Sequence, residues 1–299
     1  MPKLMKGETW QDACKLVRGQ PRFQYPVMVE AKADEIRCQV VRWLGCSKME
    51  YLSYAGRPLH NMTAFTERLR EGLANMGLRE LDIGILVNGN FNDSYRWVRS
   101  ATGVPAEKYD KKTQRTAPAL DASMVQIIVF DAPELTHPFG DRMLILDDVA
   151  AALRQLGLNA TRPDRTLAHT EAEVLTCYEM YRQLGYEGAM AKTLDHVYAR
   201  RRTFDWMKIK PKETFDGRIT GFNEAVSEAG VPHGRVGSIN VECADGSTAS
   251  PAGIPHDLGR ALWEDQARYV GQWIEFSCME IDRKGGYRHP QYERFREDK

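Results

Sequence analysis

The chain has 299 residues, of which 42% are hydrophobic and 27% charged, the composition of an ordinary soluble globular protein with one large or two modest domains. No apolar run approaches membrane-spanning length, and the N-terminus lacks the apolar core of a signal peptide, so we expect a cytoplasmic protein. The formal net charge is zero, so any site for nucleic-acid phosphates must be a local patch of Lys and Arg.

Hydrophobic periodicity predicts a mixture of helices and strands up to about residue 213. Strands and helices mixed in this order are typical of an α+β domain with antiparallel sheets. Residues 103–118 are polar, basic and without periodicity, which predicts a mobile surface loop. The predicted helices are 8–19, 62–76, 144–156 and 170–184, and the predicted strands are 27–31, 38–44, 49–53, 81–88, 125–131, 186–192 and 206–211.

Lys32 lies in a polar corner between two of these strands, with Glu30 before it and Asp34 and Arg37 after it. A lysine that leaves a buried strand is partly desolvated. Such a lysine can be a nucleophile, because desolvation and cationic neighbours lower the pKa of its amine. A lysine that ends a strand and faces solvent is the simpler interpretation of Lys32 taken alone.

Two later segments carry charges that core packing does not explain. Glu187 stands at the start of the strand 186–192. In the next strand, alternation places Trp206, Lys208 and Lys210 on one face. Two lysines side by side repel each other unless an anion lies between them, so this face predicts an anion-binding site.

Beyond residue 213 the pattern changes to short strands and glycine turns. Strands are predicted at 216–223, 236–243 and 273–281, with one helical stretch at 258–266. This pattern suits a small Greek-key barrel of the OB type, a common platform for nucleic-acid strands. We therefore expect two domains, 1–213 and 214–299.

In this order, the segments resemble the covalent nucleotidyltransferase superfamily and most closely the small, bacteriophage-type ATP-dependent DNA ligases. The resemblance extends from about residue 25 to the end of the chain. The segments that carry it are 30–37 (Lys-x-Asp-Gly-x-Arg motif), 53–56 (Ser-Arg-x-Gly motif), 129–131 (adenine-stacking strand), 186–192 (Glu-Gly-x-x-x-Lys motif), 206–210 (last lysine pair of the nucleotide pocket) and 288–299 (C-terminal motif of the ligase barrel).

The chain departs from these motifs at three positions. Glu35 replaces the motif glycine, Tyr54 replaces the motif arginine, and Gly84 stands where a strand motif has a glutamate. A side chain at Glu35 obstructs the close phosphate approach that glycine allows, and its carboxylate should repel a triphosphate. We therefore expect Glu35 to point away from the phosphates or to pair with a cation such as Arg57, and the exchange of Glu35 to Gly with Gly84 to Glu to raise the rate of adenylation.

The resemblance implies an adenylation domain over 1–213, an OB-fold DNA-binding barrel over 214–299, and the sealing of nicks in duplex DNA during DNA replication and repair. It implies ATP and Mg²⁺ as cofactors, nicked double-stranded DNA as the partner, and a monomer in the cytoplasm of a bacterium or a phage-infected host cell. Lys32 is the implied nucleophile. The implied nucleotide-binding residues are Glu30, Arg37, Arg57, Phe130, Glu187, Lys208, Lys210, Arg294, Arg296 and Lys299; the implied metal ligands are Glu187 and Asp82; and the implied DNA contacts are Lys108, Lys111, Lys112, Arg115, Arg200, Arg201 and Arg202.

Two alternative functions stay open from the sequence. One is an RNA ligase or an mRNA-capping guanylyltransferase within the same superfamily, against which the Arg-x-Pro-x-Tyr-x-Arg-x-Arg ending of the chain argues. The other is a catalytically impaired nick-binding homologue, which the three departures motivate.

Overall fold

A computed structural model of the chain shows two compact units, Met1–Ile209 and Lys210–Lys299. The structure describes residues 4–110, 115–211, 213–227, 230–279, 281 and 285–296, and it describes only the backbone of Asp110 and Arg115. The division follows Ile209, and the first strand of the second unit begins at Glu213. Among the described residues, no helix combines the length and the apolar character needed to cross a membrane.

The first unit contains helices and strands in mixed order. They are β1 (Lys6–Thr9), α1 (Trp10–Cys14), β2 (Val27–Lys32), β3 (Ile36–Arg42), β4 (Met49–Ser53), α2 (Thr66–Asn75), β5 (Glu80–Val87), α3 (Phe91–Arg99), β6 (Lys108–Asp110), β7 (Arg115–Ala117), β8 (Val125–Asp131), α4 (Phe139–Gln155), β9 (Ala160–Thr161), β10 (Arg165–Ala168), α5 (Glu171–Gln183), β11 (Gly188–Thr193) and β12 (Arg202–Ile209).

The strands of this unit form two five-stranded sheets and one hairpin. The first sheet has the order β1-β12-β11-β2-β10, the second β4-β3-β5-β8-β9, and β6 pairs with β7. The pairs β1–β12 and β8–β9 are parallel, and the other pairs are antiparallel. The two strands predicted around Lys32 are confirmed, but they belong to different sheets, so the chain crosses from one sheet to the other through residues 33–35.

Each sheet buries one face against helices. In β2, Val27 and Val29 belong to the core that the first sheet shares with α1 and α5, whereas Glu30 and Lys32 line a cavity. The second sheet shares a larger core with α2, α3 and α4, and Ile83 of β5 belongs to it. Strict alternation along the strands therefore divides core positions from positions that can bind a ligand.

The second unit consists of one antiparallel sheet and two short helices. A single bridge between Ala252 and Gln291 joins the segment after the strand Thr248–Ala249 to the last strand. Within the described residues no ladder of strand pairs closes the sheet into a barrel. The elements are β13 (Glu213–Val226), β14 (Pro232–Cys243), β15 (Thr248–Ala249), α6 (His256–Glu264), α7 (Gln266–Tyr269), β16 (Trp273–Cys278) and β17 (Gln291–Phe295), in the sheet order β15-β14-β13-β16-β17.

Several predicted elements need correction. The helix predicted over 8–19 spans only Trp10–Cys14, because Thr9 caps it and the backbone at Lys15 is extended. The loop predicted over 103–118 contains the β6–β7 hairpin. The helix α3 was not predicted, because Trp97 and Val98 are its only buried apolar side chains and they give no helical repeat.

The buried face of α4 yields a stability prediction. Leu153 and Leu144 lie on the same helix, but Leu153 is fully buried and Leu144 is 70% exposed. Because Leu153 packs against α2, its truncation leaves a cavity, and we expect Leu153→Ala to lower the free energy of unfolding by about 2–5 kcal/mol. Leu144→Ala should change it by less than about 0.5 kcal/mol. Denaturant unfolding of both variants checks this, and equal losses would contradict the described packing.

Candidate active site

A cavity of about 260 Å³ takes its lining from both sheets of the first unit. It is close in size to the lower end of ligand-binding pockets. Five of the predicted site residues lie in its wall: Glu30, Lys32, Arg37, Phe130 and Lys208. The other lining residues are Lys6, Gly7, Ala31, Glu35, Tyr54, Pro163, Met190, Lys192 and Trp206.

Lys32 ends β2 and directs its amine toward carboxylates. Pairing of Gly188 with Lys32 across β11 and β2 brings Glu187 alongside, and the Lys32 ammonium donates a hydrogen bond to Glu187. It also donates to the carbonyl oxygen of Ala33 at 3.3 Å, and the Glu35 carboxylate lies 4.0 Å from it. Glu187 is therefore beside the predicted nucleophile, as a shared site requires.

The environment of Lys32 reverses the expected shift of its pKa. Burial by itself would lower the pKa of Lys32, but the negative charges of Glu35 and Glu187 raise it above the ordinary value. The prediction of a lowered pKa is wrong for this arrangement, because carboxylates approach the amine to within 4.0 Å. Lys32 is held as an ammonium, and it must lose a proton before it can act as a nucleophile.

Glu30, two residues before Lys32 on β2, has a carboxylate oxygen that lacks a hydrogen-bond donor. Its Oε2 forms an ion pair of 2.6 Å with Lys192, and Nη2 of Arg162 lies 3.6 Å from its Oε1. Within the described residues the buried Oε1 has no hydrogen-bond partner. A buried acceptor without a partner is costly, so a ligand that donates a hydrogen bond to Glu30 would satisfy it.

Aromatic rings form much of the remaining wall. Lys192 lies over the ring of Trp206, with its nitrogen 4.1 Å from the ring centroid, and Arg37 lies over the same ring at 5.1 Å. Arg162 donates to the carbonyl oxygens of Val129 and Phe130, which fixes the end of β8 that carries the Phe130 ring. The cavity therefore offers both charged and aromatic surfaces.

Asp82, which was predicted as a metal ligand, lies outside the cavity wall. It is fully buried and does not line the cavity. Both of its carboxylate oxygens accept hydrogen bonds from Arg37, and one of them also accepts from the Tyr198 hydroxyl at 2.7 Å. This pairing orients Arg37 and argues against Asp82 as a metal ligand.

A buried polar network holds Trp206. The indole Nε1–H donates to Nε2 of His196 at 3.0 Å, and Nδ1–H of His196 donates to the carbonyl oxygen of Thr193 at 2.7 Å. Arg142, which is fully buried and paired with Asp131, donates to the carbonyl oxygen of His196 at 2.9 Å. Burial lowers the pKa of His196 to about 4, so His196 is neutral and can accept the indole hydrogen bond.

The remaining predicted nucleotide contacts lie elsewhere. Arg57 is exposed and does not line the cavity. Lys210 is the first residue of the second unit. In that unit Arg294 pairs with Glu275 and Arg296 with Asp216, each at 2.7 Å, and Lys299 lies outside the described residues.

The predicted DNA contacts differ in their surroundings. Arg200 pairs with Glu80, and Arg202 pairs with Glu8. Lys108 in β6 and Arg201 are exposed. Lys111 and Lys112 lie outside the described residues, and the side chain of Arg115 is not described.

Sequence reasoning missed two lining positions that come from the first strand. Lys6 lies with its nitrogen 4.9 Å from the ring centroid of Tyr54. A Cβ atom at Gly7 would lie 2.6 Å from the carbonyl oxygen of Trp206, so glycine is needed where β1 approaches β12. The four residues of β1 carry no apolar alternation, and no sequence signal placed them at the cavity.

The neutral state of His196 predicts a pH dependence of stability. An unfolded histidine has a pKa of about 6.5 and the folded one about 4, so the unfolded state binds an extra proton between these values. The stability contribution is present above pH 6.5 and is lost as the pH falls toward 4, by up to about 3 kcal/mol. In denaturant titrations, His196→Gln should flatten this decline and exposed His60→Gln should not. An unchanged decline in His196→Gln would refute the assignment.

Comparison with known proteins gives partial sequence matches. No protein-family model matches the chain. It is similar to a probable DNA ligase of Mycobacterium sp. strain KMS, at 31% identity over 115 residues that make up 38% of this chain and 21% of that protein. It is also similar to the DNA ligase of Enterobacteria phage T3, at 29% identity over 128 residues, 40% of this chain and 36% of that protein. The chain thus matches only about a fifth to about a third of these relatives' lengths.

Solved structures match over nearly the whole chain. A structure of the Lig E DNA ligases aligns with a TM-score of 0.71 and 17% identity, covering 99% of this chain and 100% of that one. The ATP-dependent DNA ligase of bacteriophage T7, in complex with ATP, aligns with a TM-score of 0.55 and 17% identity, covering 99% of each chain. At these identities the likeness shows the fold alone, and that fold is the one expected from the resemblance.

Proposed function

We propose that this chain, which has the fold of the ATP-dependent DNA ligases, seals nicks between a 5′-phosphate and a 3′-hydroxyl in duplex DNA through an adenylated Lys32. The observation that carries the proposal is the position of Lys32. It lies where the chain passes between two sheets, beside Glu187, in the wall of a cavity that also contains Lys208. The residues proposed as the nucleophile, its carboxylate partner and the phosphate-binding cation therefore lie near one another, which supports the proposal.

The cavity suits an adenine nucleotide. The orphaned Oε1 of Glu30 can accept a hydrogen bond from the exocyclic amine of adenine, and Lys192 and Arg162 hold the Glu30 carboxylate. The ring of Phe130 can stack on the base. Guanine presents a carbonyl oxygen where adenine has this amine, so Glu30 favours ATP over GTP, and the capping alternative is disfavoured.

The proposed reaction has three displacements at phosphorus. The neutral amine of Lys32 forms a bond to the α-phosphorus of ATP as the bond to pyrophosphate breaks, and Glu187, which contacts the amine, is placed to take its proton. The AMP then passes to the 5′-phosphate of the nick, and the 3′-hydroxyl finally displaces AMP. Each step develops charge on phosphate oxygens, so the contribution of Lys208 is positioning and charge stabilisation.

Magnesium fits this site only as an ion shared with phosphates. The described residues contain no group of three or more acidic, His or Cys side chains that could hold a metal, whereas Mg²⁺ is often held by one or two carboxylates together with substrate phosphates and water. Glu187 would hold it, and the ion would neutralise phosphate charge. Asp82 stays a weaker candidate because Arg37 engages both of its oxygens.

We assign adenylation to residues 1–213 and DNA binding to an OB fold in residues 214–299. The antiparallel sheet and its bridge between Ala252 and Gln291 support the second assignment. We also propose that the protein acts on DNA as a monomer in the cytoplasm. The other predicted site residues would contact phosphates. Phosphates of the nucleotide or nick would meet Arg37, Arg57, Lys210, Arg294, Arg296 and Lys299, and the DNA backbone would meet Lys108, Lys111, Lys112, Arg115, Arg200, Arg201 and Arg202.

Covalent labelling tests the central assignment. Incubated with Mg²⁺ and ATP labelled at the α-phosphate, the protein should retain label through denaturing electrophoresis, and the bond should be cleaved by acid but not by alkali, as a phosphoramide is. Lys32→Ala should abolish the label. Lys48→Ala, which removes an exposed lysine paired with Glu50, should keep it. Label that persists in Lys32→Ala would refute the assignment, and labelling by GTP instead of ATP would favour a capping enzyme.

Salt dependence tests the DNA partner. A protein of zero net charge can bind DNA only through a concentrated patch that displaces counterions, so the logarithm of the affinity for nicked duplex should fall linearly with the logarithm of salt concentration, with a slope of about 0.9 per neutralised phosphate. Replacing Arg200, Arg201 and Arg202 by Ala should reduce that slope. Arg70→Ala, which removes an arginine paired with Glu67, should not. Binding that does not depend on salt would contradict the proposal.

A further inference from the structure

We infer that Glu35 accepts a hydrogen bond from a ribose hydroxyl of the bound adenine nucleotide, and that Gly84 is glycine because it makes room for this glutamate. The inference rests on the proposed function. It also replaces the expectation that Glu35 and Gly84 are defects of the motifs.

The Glu35 carboxylate has an unmet hydrogen-bond requirement inside the cavity. Its side chain is 9% exposed, and its Oε2 lies 4.0 Å from the Lys32 nitrogen, beyond hydrogen-bond distance. Within the described residues this buried oxygen has no hydrogen-bond partner. Since Glu35 also lines the cavity, a donor that enters the cavity is the natural partner for it.

Glu35, in the connection between β2 and β3, fills the space beside Gly84 of β5. A Cβ atom at Gly84 would lie 2.5 Å from Cγ of Glu35 and 2.7 Å from Cζ of Phe130. Gly84 is not among the glycines with a positive φ, so the backbone conformation does not require glycine there. The requirement is space. Glu35 therefore fills the volume that a side chain on β5 at Gly84 would otherwise fill.

The position of Glu35 selects the ribose among the donors of the nucleotide. Phosphate oxygens accept hydrogen bonds and would repel the carboxylate. The exocyclic amine of adenine already has a proposed acceptor in Glu30. The remaining donors are the ribose hydroxyls, and the ribose is joined directly to the α-phosphate that Lys32 attacks. Glu35 has its Oε2 4.0 Å from the Lys32 nitrogen, and its Cγ borders Gly84 together with the ring of Phe130 that is proposed to stack on the base. The sugar joins the α-phosphate to the base, so its hydroxyls are the donors expected near Glu35.

The proposed hydrogen bond also explains why a negatively charged side chain at Glu35 suits this place. A neutral acceptor would satisfy a hydroxyl donor more weakly, because a hydrogen bond with an ionised partner is roughly twice as strong. The sequence offered two expectations, that Glu35 points away from the phosphates or that it pairs with a cation such as Arg57, and the cation near it is Lys32. The Lys32 ammonium therefore lies near the carboxylates of both Glu35 and Glu187 until the amine reacts.

Single-turnover formation of the lysyl adenylate with ATP, 2′-deoxyATP and 3′-deoxyATP tests the inference in the full chain. The parent protein should react with ATP more efficiently than with one of the two deoxy analogues by about tenfold or more, the effect of one hydrogen bond to a charged group. The analogue that fails identifies the hydroxyl. Glu35→Ala should lower the efficiency with ATP to that of this analogue and erase the preference.

Matched variants separate this role from a structural one. Glu50→Ala removes another partly buried glutamate with an unpartnered oxygen, outside the cavity, and should keep the preference for ATP. Glu35→Gln preserves the shape and should keep only part of it. Gly84→Ala should reduce the preference in the parent, and should reduce it no further in Glu35→Ala, because the two changes act on one contact.

The exchange of Glu35 to Gly together with Gly84 to Glu gives the sharpest contrast. It directs a carboxylate toward the same space from β5, and it should recover part of the preference that Glu35→Gly alone loses. An equal loss with ATP and both analogues in Glu35→Ala, or an exchange variant that adenylates faster than the parent, would overturn the inference. Those results would leave the ligase proposal intact, whereas absence of label with every nucleotide in the parent would refute that proposal itself.

Discussion

The candidate site depends on a largely buried lysine ammonium where the chain passes from one sheet to the other. Lys32 ends β2, and β3 begins at Ile36 in the second sheet. A buried charge is tolerated only when a countercharge lies beside it. Glu187 provides this countercharge because β11 pairs with β2. The register of one strand pair therefore decides whether the predicted nucleophile has a partner.

Charge pairing also fixes side chains in the other walls of the cavity. Glu30 is paired with Lys192 across the same two strands, and Arg37 is paired with Asp82 across β3 and β5. Each of these pairs lies on neighbouring strands of one sheet, so sheet register and charge pairing reinforce each other. Loss of either partner would leave an uncompensated buried charge, which is far more costly than loss of the pair as a whole. Among the described residues, these pairings leave one buried oxygen of Glu30 and one of Glu35 without a hydrogen-bond partner.

The departures from the motifs come in spatially coupled sets. Glu35 and Gly84 share one volume, as the close approach of a Cβ atom at Gly84 shows. Tyr54 stands at the position of the motif arginine, and the amine of Lys6 lies over its ring. In both places a motif group that this chain lacks has a chemically similar group nearby from another segment. A motif read one segment at a time reports such an exchange as a loss, because the compensating residue is remote in sequence.

The sequence by itself determined the strands around Lys32, the strand Val125–Asp131, and the separation of an α+β region from a strand-rich C-terminal region, because alternation and turn residues are local signals. It also determined the motif residues that line the cavity, since chemical type and spacing identify them without coordinates. Only the tertiary structure decided that Asp82 pairs with Arg37, that Lys192 pairs with Glu30, that β1 lines the cavity, and that the pKa of Lys32 is raised. These outcomes depend on which strands pair and in which register. Periodicity is a local signal, so it cannot predict a pairing between residues as far apart in the chain as Glu30 and Lys192.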